Sequence, residues 1–554
     1  MQWNNVSAIA PQCLLPYNPL NAYFDPKPMP DILLATLNAR YSHASLGLRY
    51  LYANLGEWQA RSEIVEFTIA MRPLDIVEQL LEKQPRVIGL GVYIWNVTET
   101  TEVVALLKAL APDVKVVLGG PEVSYETHQQ RITELADYVV TGAGENSFRR
   151  LCGQLLNQEY PAGKVIVSEP VPLQQLQLPY AYYTDDDLRH RFIYVEASRG
   201  CPFKCEFCLS ALDKTAYPFE LQRFLSEMAL LWERGLRHFK FVDRTFNLKI
   251  TTTLAILDFF LERLDADTFL HFELIPDHLP DVLKERISRF PAGSLQFEIG
   301  IQTFNPEVQA LISRKQDNGK SKENVHWLRT HSTAHLHTDL IFGLPGEDLA
   351  SFAEGFDTLI SLNPHEIQVG ILKRLRGTPI IRHTPDFGMV YNPHPPYNIL
   401  RTNLADFTTV QQMNRFARYW DMIGNSGRFE QTLPLLLGIG GSASPFWRFW
   451  QLSGRLYALS GQTHQIALPR LFKLVHEIGL ESLGLGQELE QVMLQDYARS
   501  GQKGEIPFLP GQRQRANIAV TQGKDARNQR QVRHANLGLD NGVTVSIDPV
   551  LPTP

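Results

Sequence analysis

Short apolar runs alternate with helix-compatible stretches over most of this chain, and that alternation restricts the fold to α/β architectures built on parallel strands. Strands are expected at residues 32–35, 87–92, 115–118 and 138–141, with helices at 46–55, 97–110 and from about Ser147. These strands are nearly continuous in apolar residues, the pattern of a sheet buried on both faces. A second series follows at residues 192–196, 238–242, 270–273, 295–301, 336–342 and 366–371, each run separated by a helical stretch. Six such repeats predict an open, partial (β/α)6 barrel.

The remaining segments are read by contrast. Residues 1–30 are rich in proline without a clear period and read as a disordered leader, with Met29 as a candidate initiator. The first domain spans 31–158. Residues 159–190, punctuated by Pro170, Pro172 and Pro179, read as a linker, and the barrel takes 191–390. From 391 to 500 the strand signal fades into aromatic, helix-compatible sequence, expected as a helical domain that caps the barrel. Residues 501–554 turn polar, with Arg513, Arg515, Arg527, Arg530 and Arg533 scattered among Gln, Asn and Gly, and read as a disordered, solvated tail.

A net charge of -6 over 554 residues gives no global attraction to nucleic acid. No apolar run approaches the roughly 20 residues of a membrane span. Five cysteines cannot frame so long a chain with disulfides, which points to a reducing compartment, the cytoplasm.

Three of those cysteines crowd into Ser-Arg-Gly-Cys201-Pro-Phe-Lys-Cys205-Glu-Phe-Cys208, directly after a predicted strand, so one loop carries all three thiols. A [4Fe-4S] cluster held this way keeps one iron open to a further ligand. Structural zinc is the alternative, but it is closed by four ligands and no fourth Cys or His stands nearby at usual spacing. Three reduced core cysteines would sit poorly in a loop with Arg199, Lys204 and Glu206. Cys13 and Cys152 lack companions and read as non-functional.

CxxxCxxC after the first barrel strand resembles the signature of the radical S-adenosylmethionine (SAM) superfamily. The resemblance implies that the open iron chelates SAM, which is cleaved to methionine and a 5'-deoxyadenosyl radical. Later strands are similar to that superfamily's SAM contacts. Asp243, in Phe-Val-Asp-Arg-Thr-Phe-Asn, would take the methionyl amino group; Glu298 and Gln302 would take the ribose; Gly300 and Gly343 would let backbone approach. Thr-Asp339-Leu-Ile-Phe-Gly343-Leu-Pro-Gly-Glu resembles the fifth-strand motif, and Gln368-Val369-Gly370-Ile371 the sixth, whose backbone would pair with adenine.

A doubly wound, Rossmann-like sheet ahead of such a barrel resembles the cobalamin-binding radical SAM group. Its crevice is expected at the C-terminal strand ends, on the loops with Gly91, Tyr93, Trp95 and Asn96, with Gly119, Gly120, Pro121 and Glu122, and with Gly142, Gly144 and Glu145. The Asp-x-His-x-x-Gly signature is absent, and His43 reads as a surface or capping residue. The blocks Asp243 to Asn247 and Leu372 to Pro379 resemble an uncharacterised branch with a C-terminal domain of unknown function. The cofactors implied are a [4Fe-4S] cluster, SAM and cobalamin. The activity implied is methylation of an unactivated carbon or phosphorus centre. Radical cyclisation or rearrangement without methyl transfer is one rival, and a cobalamin or redox sensor another. A small-molecule or peptide substrate and an electron donor such as flavodoxin or ferredoxin are the expected partners, with no membrane or nucleic acid. Glu273, Asp277, Lys373 and Arg376, charged residues near strand ends, are candidate substrate contacts.

Overall fold

Ile32 and Leu34 pack into one apolar cluster and Leu33, Ala35 and Leu37 into another, so the first strand is buried on both sides. The computed structural model, which describes residues 29–213, 216–502, 504–514 and 547–549, places this strand inside a six-stranded parallel sheet. Its strands are β1 (Ile32–Asn38), β2 (Ser62–Thr68), β3 (Val87–Gly91), β4 (Lys115–Gly119), β5 (Tyr138–Thr141) and β6 (Val165–Val167), in the order β2-β1-β3-β4-β5-β6. Helices Pro73–Glu82 and Val97–Leu110 cover one face, Leu46–Ala53 and Glu145–Leu156 the other. The order reverses between β1 and β3, and in open α/β sheets ligands bind beyond the strand ends near such a reversal.

Sequence pattern alone misses β2 and β6. Both are edge strands: β2 carries Glu63 and Glu66 among its apolar residues, and β6 leaves Val165 and Val167 exposed. The stretch read as a linker is therefore ordered. It donates β6 to the first sheet, buries Leu173, Leu176, Leu178, Tyr180 and Tyr183 in the barrel core, and ends in helix Asp185–His190, opened by a Thr184/Asp187 capping box.

The second sheet holds β7 (Ile193–Val195), β8 (His238–Phe241), β9 (Phe269–Leu274), β10 (Leu295–Gln302), β11 (His335–Phe342) and β12 (Glu366–Ile371), all parallel and in sequential order. β7 and β12 do not pair, so the barrel is open and has two edges to protect. The first domain meets the β7 edge: His43 bridges Phe192, and its Nδ1 lies 2.5 Å from the Tyr194 hydroxyl. His43 is thus a domain-contact residue rather than a surface or capping one.

The helical region guards the other edge. Trp420, on helix Phe407–Ile423, donates from Nε1 to the Ile367 carbonyl at 2.9 Å, and Asn425 bonds both the Ile367 amide and carbonyl at 2.9 Å. Phe416, Trp420 and Phe446 pack against Phe352 and Phe356 of helix Leu349–Leu362, and barrel and helices share one continuous core. This region lies on the barrel's flank. None of its residues lines the cavity at the barrel mouth; they satisfy the backbone of the edge strand instead.

The expected disordered tail is corrected where it is described: Ile506 and Phe508 are buried in the core, and Gly504–Glu505, Gln512–Gln514 and Ile547–Pro549 form a three-stranded antiparallel sheet. Leader residues 1–28, with Cys13, and the stretch holding Arg515, Arg527, Arg530 and Arg533 lie outside the described residues. Among the described residues no helix is long and apolar enough to cross a membrane.

Candidate functional site

Cys201, Cys205 and Cys208 line one cavity of about 610 Å³ at the C-terminal ends of the barrel strands. Their loop is pinned at several points. The Cys201 amide donates to the Asp213 carbonyl at 3.3 Å and the Cys208 amide to the Cys205 carbonyl at 3.1 Å. Glu206, between the second and third thiols, is buried, and its carboxylate accepts from Arg382 at 2.6 and 2.7 Å and from Ser313 at 2.6 Å, with His383 at 2.9 Å. Burial pushes that carboxyl up, but Arg382, Ser313 and His383 hold it below the usual range.

Burial raises the Cys201 and Cys205 thiols, and Arg314, whose Nη1 is 3.6 Å from the Cys205 sulfur, offsets part of the rise at Cys205. Arg314 is held by Gln316 and the Gly300 carbonyl. Sequence reading missed it, since it lies off the strands and in no periodic pattern.

A cubane carries its irons at separate corners, and three thiols spread over one cavity wall beside a fixed guanidinium fit it.

Of the SAM contacts implied by resemblance, Glu298, Gln302, Asp339 and Gly370 line the same cavity as the thiols. His271 Nε2 lies 3.3 Å from Glu298; burial pushes that carboxyl up, but the hydrogen bond from His271 and the charges of His337 and Lys240 hold it well below its usual range. Gln302 sits at a bulge with φ +69°, its amide folded over Gly300, where a Cβ would clash at 2.4 Å.

Three others stand elsewhere. Asp243 does not line the cavity: its oxygens accept from the Ala197 amide at 2.9 Å and the Ser198 hydroxyl at 2.5 Å, and burial pushes its carboxyl up to about 7. It fastens the start of the thiol loop, and its neighbour Arg244 faces the cavity instead. Gly343, at φ +92°, packs against Ile399 at a distance no Cβ would allow. Val369 turns its side chain into the core, which leaves the expected backbone contact of this strand to adenine unaffected, with Gln368, Gly370 and Ile371 at the cavity.

A second cavity, of about 550 Å³, opens at the strand ends of the first sheet. Tyr93, Gly119, Gly120, Pro121, Gly142, Gly144 and Glu145 all line it. Seven of its lining residues are glycines, so its walls are largely bare backbone, which a broad flat ring can approach closely. Asn96 does not reach it: this fully buried amide bonds the Leu37 and Gly91 carbonyls and the Tyr93 amide, locking the loop from beneath. Among the described residues lining the crevice there is no histidine.

At Gly120, φ is +110° and a Cβ would lie 2.4 Å from the Val92 carbonyl oxygen. Gly120→Ala is expected to weaken hydroxocobalamin uptake by at least about fivefold, because backbone strain of about 1–3 kcal/mol must be relieved by moving the crevice loop. An absorbance titration reads this, and unchanged affinity would contradict the placement.

The two cavities share a partition. Ala211 faces the thiol cavity, while Leu209 and Asp213 of the same loop face the crevice. Glu273, paired with Arg244 at 2.7 Å, Asp277 and Lys373 line the thiol cavity. Arg376 does not. It pairs with Glu122 at 2.9 Å and Glu126 at 3.0 Å, as Arg374 pairs with Glu126 at 2.7 Å, so the block after β12 clamps the barrel to the first domain. A charged residue near a strand end reads the same in sequence whether it faces a cavity or a neighbouring domain.

A thiol-lined open barrel behind a doubly wound, glycine-lined crevice defines a two-cofactor protein, and the chain belongs to the cobalamin-binding radical SAM family. Family models match in that order: a B12 binding domain at residues 32–152, the radical SAM superfamily at 195–359, and a protein family of unknown function, DUF4080, at 385–538. The chain is 30% identical over 331 residues to an uncharacterised methyltransferase of Pyrococcus horikoshii, covering 54% of this chain and 70% of that one. It is 25% identical over 328 residues to the cobalamin-dependent radical SAM methyltransferase TokK of Streptomyces tokunonensis, covering 52% of this chain and 47% of the relative, so it spans about half of that protein. In fold it resembles the radical SAM methyltransferase TsrM of Kitasatospora setae, solved with cobalamin and a [4Fe-4S] cluster: TM-score 0.56 at 16% identity, over 86% of this chain and all of that one. The cofactors of this family are the [4Fe-4S] cluster, SAM and cobalamin.

Proposed function

We propose that the chain is a methyltransferase that moves a methyl group from SAM, by way of cobalamin, to an unactivated carbon or phosphorus centre of a small-molecule or peptide substrate. The observation that carries this reading is the shared partition, residues 209–213, between the thiol cavity and the glycine-lined crevice. Bound there, the cluster supplies the electron that splits SAM and cobalamin supplies a transferable methyl group.

The chain's own residues bind, orient and exclude water. Cys201, Cys205 and Cys208 hold the cluster, with Asp243 and Glu206 fixing their loop. Glu298, Gln302 and Asp339 offer polar contacts to SAM. Phe203, Phe207, Ala211, Leu372 and Leu375 give the thiol cavity apolar walls, which keep a reactive radical from solvent. Glu273, Asp277 and Lys373 are charged groups at the cavity that could meet substrate, beside Arg244 and Lys315. The proposed setting is the cytoplasm, with a flavodoxin or ferredoxin as electron donor.

The names of the relatives, methyltransferases in two separate cases, support the reading. SAM labelled with deuterium in its methyl group tests it. The expected result is a methylated product carrying the label; label found only in methionine would mean cobalamin-assisted rearrangement, and no SAM cleavage at all would mean a sensor.

A further inference from the structure

Arg199 stands two residues before Cys201, yet its side chain lines the glycine crevice of the other cofactor. Its Nη1 donates to Glu145 Oε1 at 2.7 Å, the first residue of the helix that follows β5. Its Nε and Nη2 donate to Glu196, just past β7, at 3.1 to 3.3 Å. The guanidinium carbon lies 4.8 Å from the centroid of Tyr50, on a crevice helix of the first domain. One side chain therefore touches two crevice helices of the first domain and the residue that follows the first barrel strand, while its backbone runs directly into the first thiol.

The far side of the bridge is incomplete. Glu145 lines the crevice with its side chain only 6% exposed, and its second oxygen, Oε2, is buried with no hydrogen-bond partner. A buried acceptor left unpaired is unfavourable, and a donor arriving with the crevice's occupant would relieve it. The rim of a corrin ring carries primary carboxamides, neutral N–H donors of the kind this oxygen lacks.

We propose that Arg199 is a positioning residue that couples filling of the crevice to the geometry of the thiol loop. An amide donor at Glu145 Oε2 fixes Glu145, Glu145 fixes Arg199, and Arg199 fixes the turn into Cys201. This rests on the two-cofactor reading above. A plain domain-docking ion pair would hold the same residues together without making one site respond to the other.

The test measures SAM affinity by equilibrium dialysis on oxygen-free, cluster-loaded full chain, without and with saturating hydroxocobalamin, and follows the electron paramagnetic resonance signal of the reduced cluster in both states. In the parent chain, hydroxocobalamin is expected to tighten SAM binding by at least about fivefold, the lower end of measured site-to-site couplings, and to shift the signal. Arg199→Met is expected to bind each cofactor separately while that ratio falls to one and the shift disappears; Arg199→Lys, which keeps the charge but not the fork, restores part of it. Should Arg199→Met lose its cluster, Glu145→Gln, which alters the crevice side, is expected to keep the cluster, to bind hydroxocobalamin more weakly and, once saturated with it, to show a ratio of one and no shift. A parent chain that loads both cofactors yet shows a ratio of one overturns the coupling alone, as does an undiminished ratio in either variant. A parent chain that takes up no hydroxocobalamin overturns the two-cofactor reading itself.

Discussion

Replacing any one of Cys201, Cys205 or Cys208 by alanine is expected to abolish the iron–sulfur absorption of the reconstituted chain and to reduce SAM cleavage to background, while cobalamin uptake is left intact. Thiolates are the only ligands the loop offers a cluster, so two remaining sulfurs cannot hold a cubane with its open iron in place. The crevice keeps its walls in these variants because none of the three cysteines lines it. Absorbance of the cluster, chromatographic measurement of 5'-deoxyadenosine and a hydroxocobalamin titration check the three parts separately. Loss of cobalamin with retention of the cluster would contradict the division of labour between the domains.

The second large effect concerns how the domains are held. Arg49 bonds Glu66 at 3.0 Å and Asp187 at 2.7 Å, and Arg191 bonds the same two carboxylates at 2.7 and 2.9 Å; all four side chains are at most 8% exposed. Arg49 and Glu66 belong to the first domain, Asp187 and Arg191 to the segment leading into β7. Glu66→Ala leaves two buried guanidiniums on one carboxylate, a loss of about 3–5 kcal/mol, because an uncompensated buried charge costs far more than an intact pair contributes. The expected readout is a lower urea midpoint, together with protease cleavage between the first sheet and β7 that the parent chain resists.

The same network sets an acid limit. Burial pushes Glu66 and Asp187 up, but Arg49 and Arg191 outweigh it and hold both below their usual values. Groups whose folded-state pKa is depressed contribute fully at neutral pH, and that contribution disappears as pH falls from the ordinary carboxylate range toward the folded value. The network's contribution to domain docking is therefore expected to weaken below about pH 4 and to be insensitive to pH between 6 and 8.

What sequence could show follows from which signals are local. The three thiols are legible because their spacing is short and their chemistry specific, and the ten expected strands because buried parallel strands are continuous apolar runs. β2 and β6 escape the same test, since an edge strand is half polar and three residues make no period. The segment 159–190 looks like a tether because proline interrupts its pattern, yet Tyr180 and Tyr183 are among the most buried side chains. Asp243 and Arg376 are named at the right strand ends, but neither lines the thiol cavity. Asp243 faces its own loop and Arg376 another domain, and neither direction is encoded in the residues next to them. The aromatic helices after residue 400 announce that they must bury a face; that the face is the edge of β12 depends on the barrel being open, a property of the whole sheet.

The central claim is that one chain places a SAM-cleaving cluster and cobalamin on opposite sides of a single loop. It is tested most directly by assaying iron, sulfide and cobalamin in one oxygen-free preparation and then following 5'-deoxyadenosine after reduction in the presence of SAM. The account expects cubane stoichiometry, equimolar cobalamin and release of 5'-deoxyadenosine. Material that holds no iron and sulfide, or holds both cofactors and never splits SAM, would contradict it.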